Sequence, residues 1–168
     1  CGVNFQLGTG QSGLQKVPRR LEKLTDCGIV ELTASKFHSM ALSRDGKVYT
    51  WGWGFGGRLG HPDASEHGNV QIFPRIVKAL AGERVICIAA AKHHSLAVTS
   101  NGDVYSWGQN PDGRLGHPVG TKQIVPKRVL ALKGVHVVQA AAANKHSAIV
   151  SNAGVVYTWG SNAHGQLG

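Results

Sequence analysis

Cysteine is scarce in this chain of 168 residues, and so is negative charge. There are three cysteines, Cys1, Cys27 and Cys87, and no Cys-x-x-Cys pair. An odd, dispersed set argues against a disulfide framework and a zinc site, and suits a reducing compartment, cytoplasm or nucleus. Charged residues make up 16%, below the roughly 25% of an average soluble chain. Only 9 are Asp or Glu, against 18 Lys and Arg, for a net charge of +9. Apolar runs all fall short of the roughly 18 residues of a membrane span, so a membrane role is not expected. The chain opens on Cys1 rather than Met and closes on Gly168, and residues 1–168 read as a fragment of a single domain. What is abundant is glycine, 23 residues, beside a hydrophobic content of 42%. That is enough apolar material for a core and too much for disorder.

The glycines belong to a repeat. Leu-Gly recurs at Leu7-Gly8, Leu59-Gly60, Leu115-Gly116 and Leu167-Gly168, at spacings of 52, 56 and 52. Trp51, Trp107 and Trp159 each precede Gly, and His38, His94 and His146 each precede Ser. Pro18, Pro74 and Pro126 keep the same register. From Pro to His is 20 residues, from His to Trp 13, and from Trp to the Gly of Leu-Gly 9, in all three units. The periods run 9–60, 61–116 and 117–168, with 1–8 the end of a preceding repeat. Only the segment between that Gly and the next Pro changes length, with four extra residues in 61–73, which marks a surface loop.

Each unit reads as β structure. HSMALSRDGKVYTWG and HSLAVTSNGDVYSWG place Asp45-Gly46 and Asn101-Gly102 between alternating apolar runs, a hairpin signal in which both turn residues favour positive φ. Ala153-Gly154 stands there in the third unit, so strain or another turn type is expected at Ala153. A further strand is expected to start at each Pro (PRRLEKL, PRIVKAL, PKRVLAL), on an outer edge where a missing N–H does no harm. The last run, IVELTAS, VICIAAA or VVQAAAA, has small side chains suited to a strand near a crowded axis. Four short antiparallel strands in about 50 residues is the pattern of a β-propeller blade.

The marks His-Ser-x-Ala-Leu/Val, Asp/Asn-Gly-x-Val-Tyr-x-Trp-Gly, Gly-Arg/Gln-Leu-Gly and Pro-Arg/Lys resemble the regulator of chromosome condensation repeat family. The resemblance implies an all-β chain forming three to four blades of a seven-bladed propeller. The wording of 36–63 and 89–108 is most similar to the subgroup joined to ankyrin repeats and BTB domains, that of the inhibitor of Bruton tyrosine kinase, which implies a ubiquitin ligase adaptor. The founding member implies an alternative, a guanine nucleotide exchange factor for a Ran-like small GTPase with chromatin association. A plant ultraviolet-B sensor is disfavoured, because KFHS, KHHS and NKHS replace the Gly-Trp-Arg-His-Thr wording of that group.

No acid–base pair, nucleophile set or metal cluster stands out, so a binding scaffold, not an enzyme, is expected, with no cofactor and no small-molecule substrate. His38, His94 and His146 read as buried residues bonding the backbone of their own blade, and His61 and His117 as turn residues. Trp51, Trp107 and Trp159 read as packing between blades, with Gly60, Gly116 and Gly168 as structural glycines and Cys1 in the place of a missing Trp. Trp53 lies off the repeat register and, in a connecting loop with Phe55, is the candidate exposed aromatic anchor. Arg58 and Arg114 share a site with Gln6 and Gln166, which suggests a place near the surface. Arg19, Arg20, Arg75, Lys127 and Arg128 are expected to gather into a basic belt for an acidic protein, a small GTPase, or nucleic acid and chromatin.

Overall fold

The computed structural model describes residues 2–64 and 69–168. Cys1 and residues 65–68, where part of the longer loop falls, lie outside the described residues. The chain forms β1 (Ile29–Ala34), β2 (His38–Ser43), β3 (Val48–Trp53), β4 (Val70–Ile76), β5 (Val85–Ala90), β6 (His94–Thr99), β7 (Val104–Gly108), β8 (Gln123–Arg128), β9 (Val137–Ala142), β10 (His146–Ser151) and β11 (Val156–Gly160). These make three open antiparallel sheets ordered β1-β2-β3-β4, β5-β6-β7-β8 and β9-β10-β11. The Ala-rich segment is strand β9, as Val137 and Val138 ahead of it favour. No helix among the described residues is long and apolar enough to cross a membrane.

Hydrophobic burial lies between sheets. Met40, Leu42 and Val48 of the first sheet, with Val77 and Leu80 just after β4, pack on Ile88 and Trp107 of the second. Leu96, Val98 and Val104 of the second, with Val129 just after β8, pack on Val137 and Ile149 of the third. Covered on both faces, β2 and β6 are buried along their whole length, whereas β10 alternates and Val156 on β11 is 60% exposed. The inner strands are also tied side by side: Ile88 N–H donates to Glu31 Oε1 at 3.2 Å and Ala90 N–H to Thr33 Oγ1 at 3.3 Å. Burial raises the pKa of Glu31 there.

Two local expectations are corrected. The outer strand does not start at its proline. Pro74 and Pro126 lie inside β4 and β8, at the place where the register with β3 and β7 shifts. A bulge on an edge strand is where a residue without an N–H does least damage. Each of these strands leads into a short 3₁₀ turn, Lys78–Leu80 or Leu130–Leu132, and residues 18–24 hold only the turn Glu22–Leu24.

The hairpin turn is also longer than two residues. Gly46 N–H reaches Ser43 O at 2.9 Å and Ser43 N–H reaches Lys47 O at 2.9 Å, and the pattern repeats at Gly102 and Gly154. This is the three-residue loop in which one glycine supplies the positive φ, here 85° at Gly46. The residue before it keeps negative φ, so Ala153 carries no strain.

Candidate functional site

The repeated polar residues form clamps between sheets. His38 Nε2 lies 2.8 Å from Ser95 Oγ, and His94 Nε2 lies 2.8 Å from Ser147 Oγ. The histidines therefore bond the next sheet, not the backbone of their own. Ser95 donates its only hydroxyl proton to Arg58 O at 2.9 Å, and Trp107 Nε1–H donates to the same carbonyl at 2.9 Å. Ser95 can then only accept from His38, which places the imidazole proton on Nε2. Ser147 and Trp159 repeat this on Arg114 O, and Ser39 and Trp51 on Gln6 O.

Burial, aided by the Arg58 charge, lowers the His38 pKa to about 3, and burial with Arg114 does the same to His94. Both stay neutral, as the clamp requires. Ser35 Oγ lies 2.9 Å from His38 Nδ1. Ala91 stands at the matching place in the second sheet, and there His94 Nδ1 is buried without a partner. His146 is only partly buried. Gly60 and Gly116 bring the carbonyl loop close to the next indole: a Cβ on Gly60 would sit 3.1 Å from Trp107 Nε1, whereas Gly168 has open space around it. A second clamp closes each loop on its own sheet. Thr50 donates to Leu59 O at 2.7 Å and meets His61 Nε2 at 2.9 Å, and Ser106 does likewise with Leu115 O and His117.

Arg58 and Arg114 are not near the surface. Arg58 is fully buried. Its Nε donates to Phe55 O at 2.8 Å and its Nη1 to Lys92 O at 2.7 Å, and desolvation lowers its pKa to about 10. Arg114 Nη1 reaches Asn144 O at 2.9 Å, and Gln6 Nε2 reaches Lys36 O at 3.4 Å. All three serve the equivalent carbonyl in the next hairpin. Arginine and glutamine both present an N–H at the right reach; the arginine copies are buried, and Gln6 is half-buried.

Two members of the expected basic belt are held in ion pairs. Arg75 pairs with Asp63 at 2.7 Å and Arg128 pairs with Asp103. Arg75 and Lys127 sit opposite Thr50 and Ser106, and Arg128 is one residue further along, on the other strand face. Arg19 and Arg20 are exposed outside any strand.

Trp53 is the last residue of β3, paired with Val70, and half-buried rather than a free anchor in a loop. Its ring stacks on Phe55 at 5.4 Å and takes the edge of Phe37 at 4.9 Å. The Arg58 guanidinium lies 4.9 Å from the Trp53 ring and 5.1 Å from that of Phe37. Phe55 is 44% exposed. Sequence reasoning missed Phe37, whose signal was its place in the repeat, where the later units carry His93 and Lys145. No group of His, Cys, Asp and Glu able to hold a metal occurs among the described residues.

Comparison with known proteins places these clamps in context. The regulator of chromosome condensation (RCC1) repeat profile matches residues 45–98 and 101–150, and a second profile of the same repeat matches 29–58, 85–114 and 137–166. The ultraviolet-B receptor UVR8 of Arabidopsis thaliana is 39% identical over 99% of the chain and 37% of its own length. The human E3 ubiquitin-protein ligase HERC2 is 37% identical over the whole chain and 4% of its own length. Among solved structures, Prp20p of Saccharomyces cerevisiae, described with its binding to Gsp1p and histones, superposes with a TM-score of 0.81 at 25% identity, covering 99% of this chain and 41% of that one. Human WBSCR16 gives 0.79 at 27%, covering 95% and 41%. The chain thus spans well under half the length of each of these relatives. With the His-Ser, Trp-Gly and Leu-Gly marks accounted for by one sheet-to-sheet clamp, and repeat profiles matching most of its length, the chain belongs to the RCC1 repeat family.

Proposed function

We propose that this chain is part of a protein-interaction scaffold, the sheets being blades of a seven-bladed propeller. The observation that carries the reading is the division of labour among its side chains. Residues that recur are spent on clamping sheets together, whereas the aromatic residues that depart from the repeat, Phe37, Trp53 and Phe55, collect beside one loop with Phe55 exposed. A rigid repeat array with one off-pattern aromatic patch suits recognition rather than catalysis. Similarity to HERC2 favours a place in ubiquitin ligation, and the adaptor role of BTB-linked propellers, in the cytoplasm or nucleus, is part of the same proposal.

A photo-crosslinking residue at Phe55 tests this. It should capture protein partners that the same residue at exposed Leu130, on an outer turn, does not. Equal capture at both sites would overturn the proposal. Similarity to Prp20p favours a second reading, an exchange factor for a Ran-like GTPase acting at chromatin. Release of a fluorescent nucleotide from such a GTPase separates the two: no acceleration fits the scaffold, whereas a rise of about tenfold, some 1.4 kcal/mol off the barrier, fits the exchange factor.

A further inference from the structure

Three cations converge on one aromatic ring. Arg58 Cζ lies 5.1 Å from the centre of the Phe37 ring, Lys36 Nζ 5.4 Å and Lys92 Nζ 5.9 Å. Among the described residues none of the three has a carboxylate partner, while four other cations, Lys47, Arg75, Arg114 and Arg128, do. Like charges gathered this closely repel one another, and the ring quadrupole offsets only part of that cost. Lys36 and Lys92 sit in equivalent hairpins, before β2 and before β6. The matching hairpin before β10 carries Asn144 at the aligned place and, next to it where the first sheet has Phe37, exposed Lys145, also without an ion pair among the described residues. Each of these hairpins therefore carries a lysine without a carboxylate partner, and Phe37, which Lys36 and Lys92 approach, edges the Trp53 ring that stacks on exposed Phe55.

We propose that these hairpins bind an acidic polypeptide segment, its carboxylates lying along Lys36, Lys92 and Lys145 and an apolar or aromatic side chain resting on Phe55. The proposal deepens the scaffold reading above and rests on it. Charge complementarity fixes the sign of the partner. Two features favour a peptide over nucleic acid. The unpaired cations are lysines, whereas the one guanidinium present is buried and already donates to two carbonyls, so no fork is offered to a phosphate. The Trp53 ring is already engaged by Phe55, Phe37 and Arg58, which leaves Phe55 as the one exposed ring of this cluster and no platform for successive bases.

The test uses the whole chain and a fluorescein-labelled peptide in which Glu and Asp flank one central Trp. Anisotropy should show binding that weakens as salt rises. The double variant Lys36→Glu, Lys92→Glu should lose about tenfold or more in affinity, and Phe55→Ser about fivefold, each with an unchanged circular dichroism spectrum and melt. Lys133→Glu, on an outer turn, should have no effect. Equal loss with Lys133→Glu would show unspecific attraction and overturn the proposal, as would tighter binding of an oligothymidylate than of the peptide. A chain whose Phe55 crosslinks a partner but which ignores the acidic peptide would keep the scaffold reading and sink this one.

Discussion

His38 Nε2 and Ser95 Oγ, 57 residues apart in sequence and in neighbouring sheets, meet at 2.8 Å in the interior. Adjacent residues on a strand face opposite ways. The His of each His-Ser pair therefore turns to the following sheet and the Ser to the preceding one. In the middle sheet one dipeptide reaches both neighbours, His94 bonding Ser147 and Ser95 bonding His38. Ser95→Ala should cost about 2 kcal/mol, because it strands a buried imidazole N–H. A double-mutant cycle with His38→Ala, read from denaturant melts, should give a coupling of about 1–2 kcal/mol. Simple additivity would mean that the pair does not act together.

The clamp makes stability depend on pH. His38 and His94 have folded pKa values of about 3, below the roughly 6.5 of an unfolded histidine. The unfolded chain then binds more protons than the folded one between these values. The stabilisation is fully present above pH ~6.5 and is lost as pH falls toward ~3, by roughly 1.4 kcal/mol per pH unit for each histidine. Urea midpoints between pH 7 and 4.5 should fall steadily, and His94→Gln should remove one proton from the slope. A flat profile in that range would contradict neutral burial.

The Gly of each Trp-Gly pair answers to a close approach. At Gly52 φ is +109°, and a Cβ would lie 2.6 Å from Phe37 O and 2.9 Å from His38 Cα. Both neighbours are backbone, so neither can yield cheaply. Gly52→Ala should destabilise by about 3 kcal/mol or more. Gly154→Ala meets nothing within 4 Å and bears only the cost of φ +77°, about 1 kcal/mol. Thermal melts of the two variants should separate clearly, and equal losses would show that the backbone conformation alone sets the cost.

Much of this was legible in the sequence because a repeat places equivalent residues in equivalent surroundings. The 20, 13 and 9 spacings locate β2, β3 and the Leu-Gly loop in every unit. What stayed hidden depends on contacts between units. The partner of His38 is 57 residues away, and only the Ser recurring beside each His hinted at it. The start of β4 was obscured because Val70–Phe73 lies in the stretch that also absorbs the insertion. Trp53 looked free because it breaks the pattern, yet Phe37 and Arg58, distant in sequence, half bury it.

Arg58 offers the sharpest test of how far a repeat position reveals its surroundings. Its alternation with glutamine across the repeat looked like surface tolerance, but each copy supplies a donor: Arg58 Nη1 to Lys92 O, Arg114 Nη1 to Asn144 O, Gln6 Nε2 to Lys36 O, and Arg58 and Arg114 do so from buried places. Arg58→Gln should therefore keep the bond to Lys92 O and lose mainly the bond to Phe55 O and the ring contacts, about 1–2 kcal/mol. Arg58→Met has similar length and no donor. It should leave the Lys92 carbonyl unpaired and cost about 1–3 kcal/mol beyond the glutamine variant. Desolvation of the guanidinium works the other way, since a buried charge without a carboxylate is itself costly. If that penalty outweighs the hydrogen bonds, the methionine variant will melt higher than wild type, and the donor explanation of the repeat falls. The order wild type, Gln, Met in urea midpoints is the outcome the clamp requires.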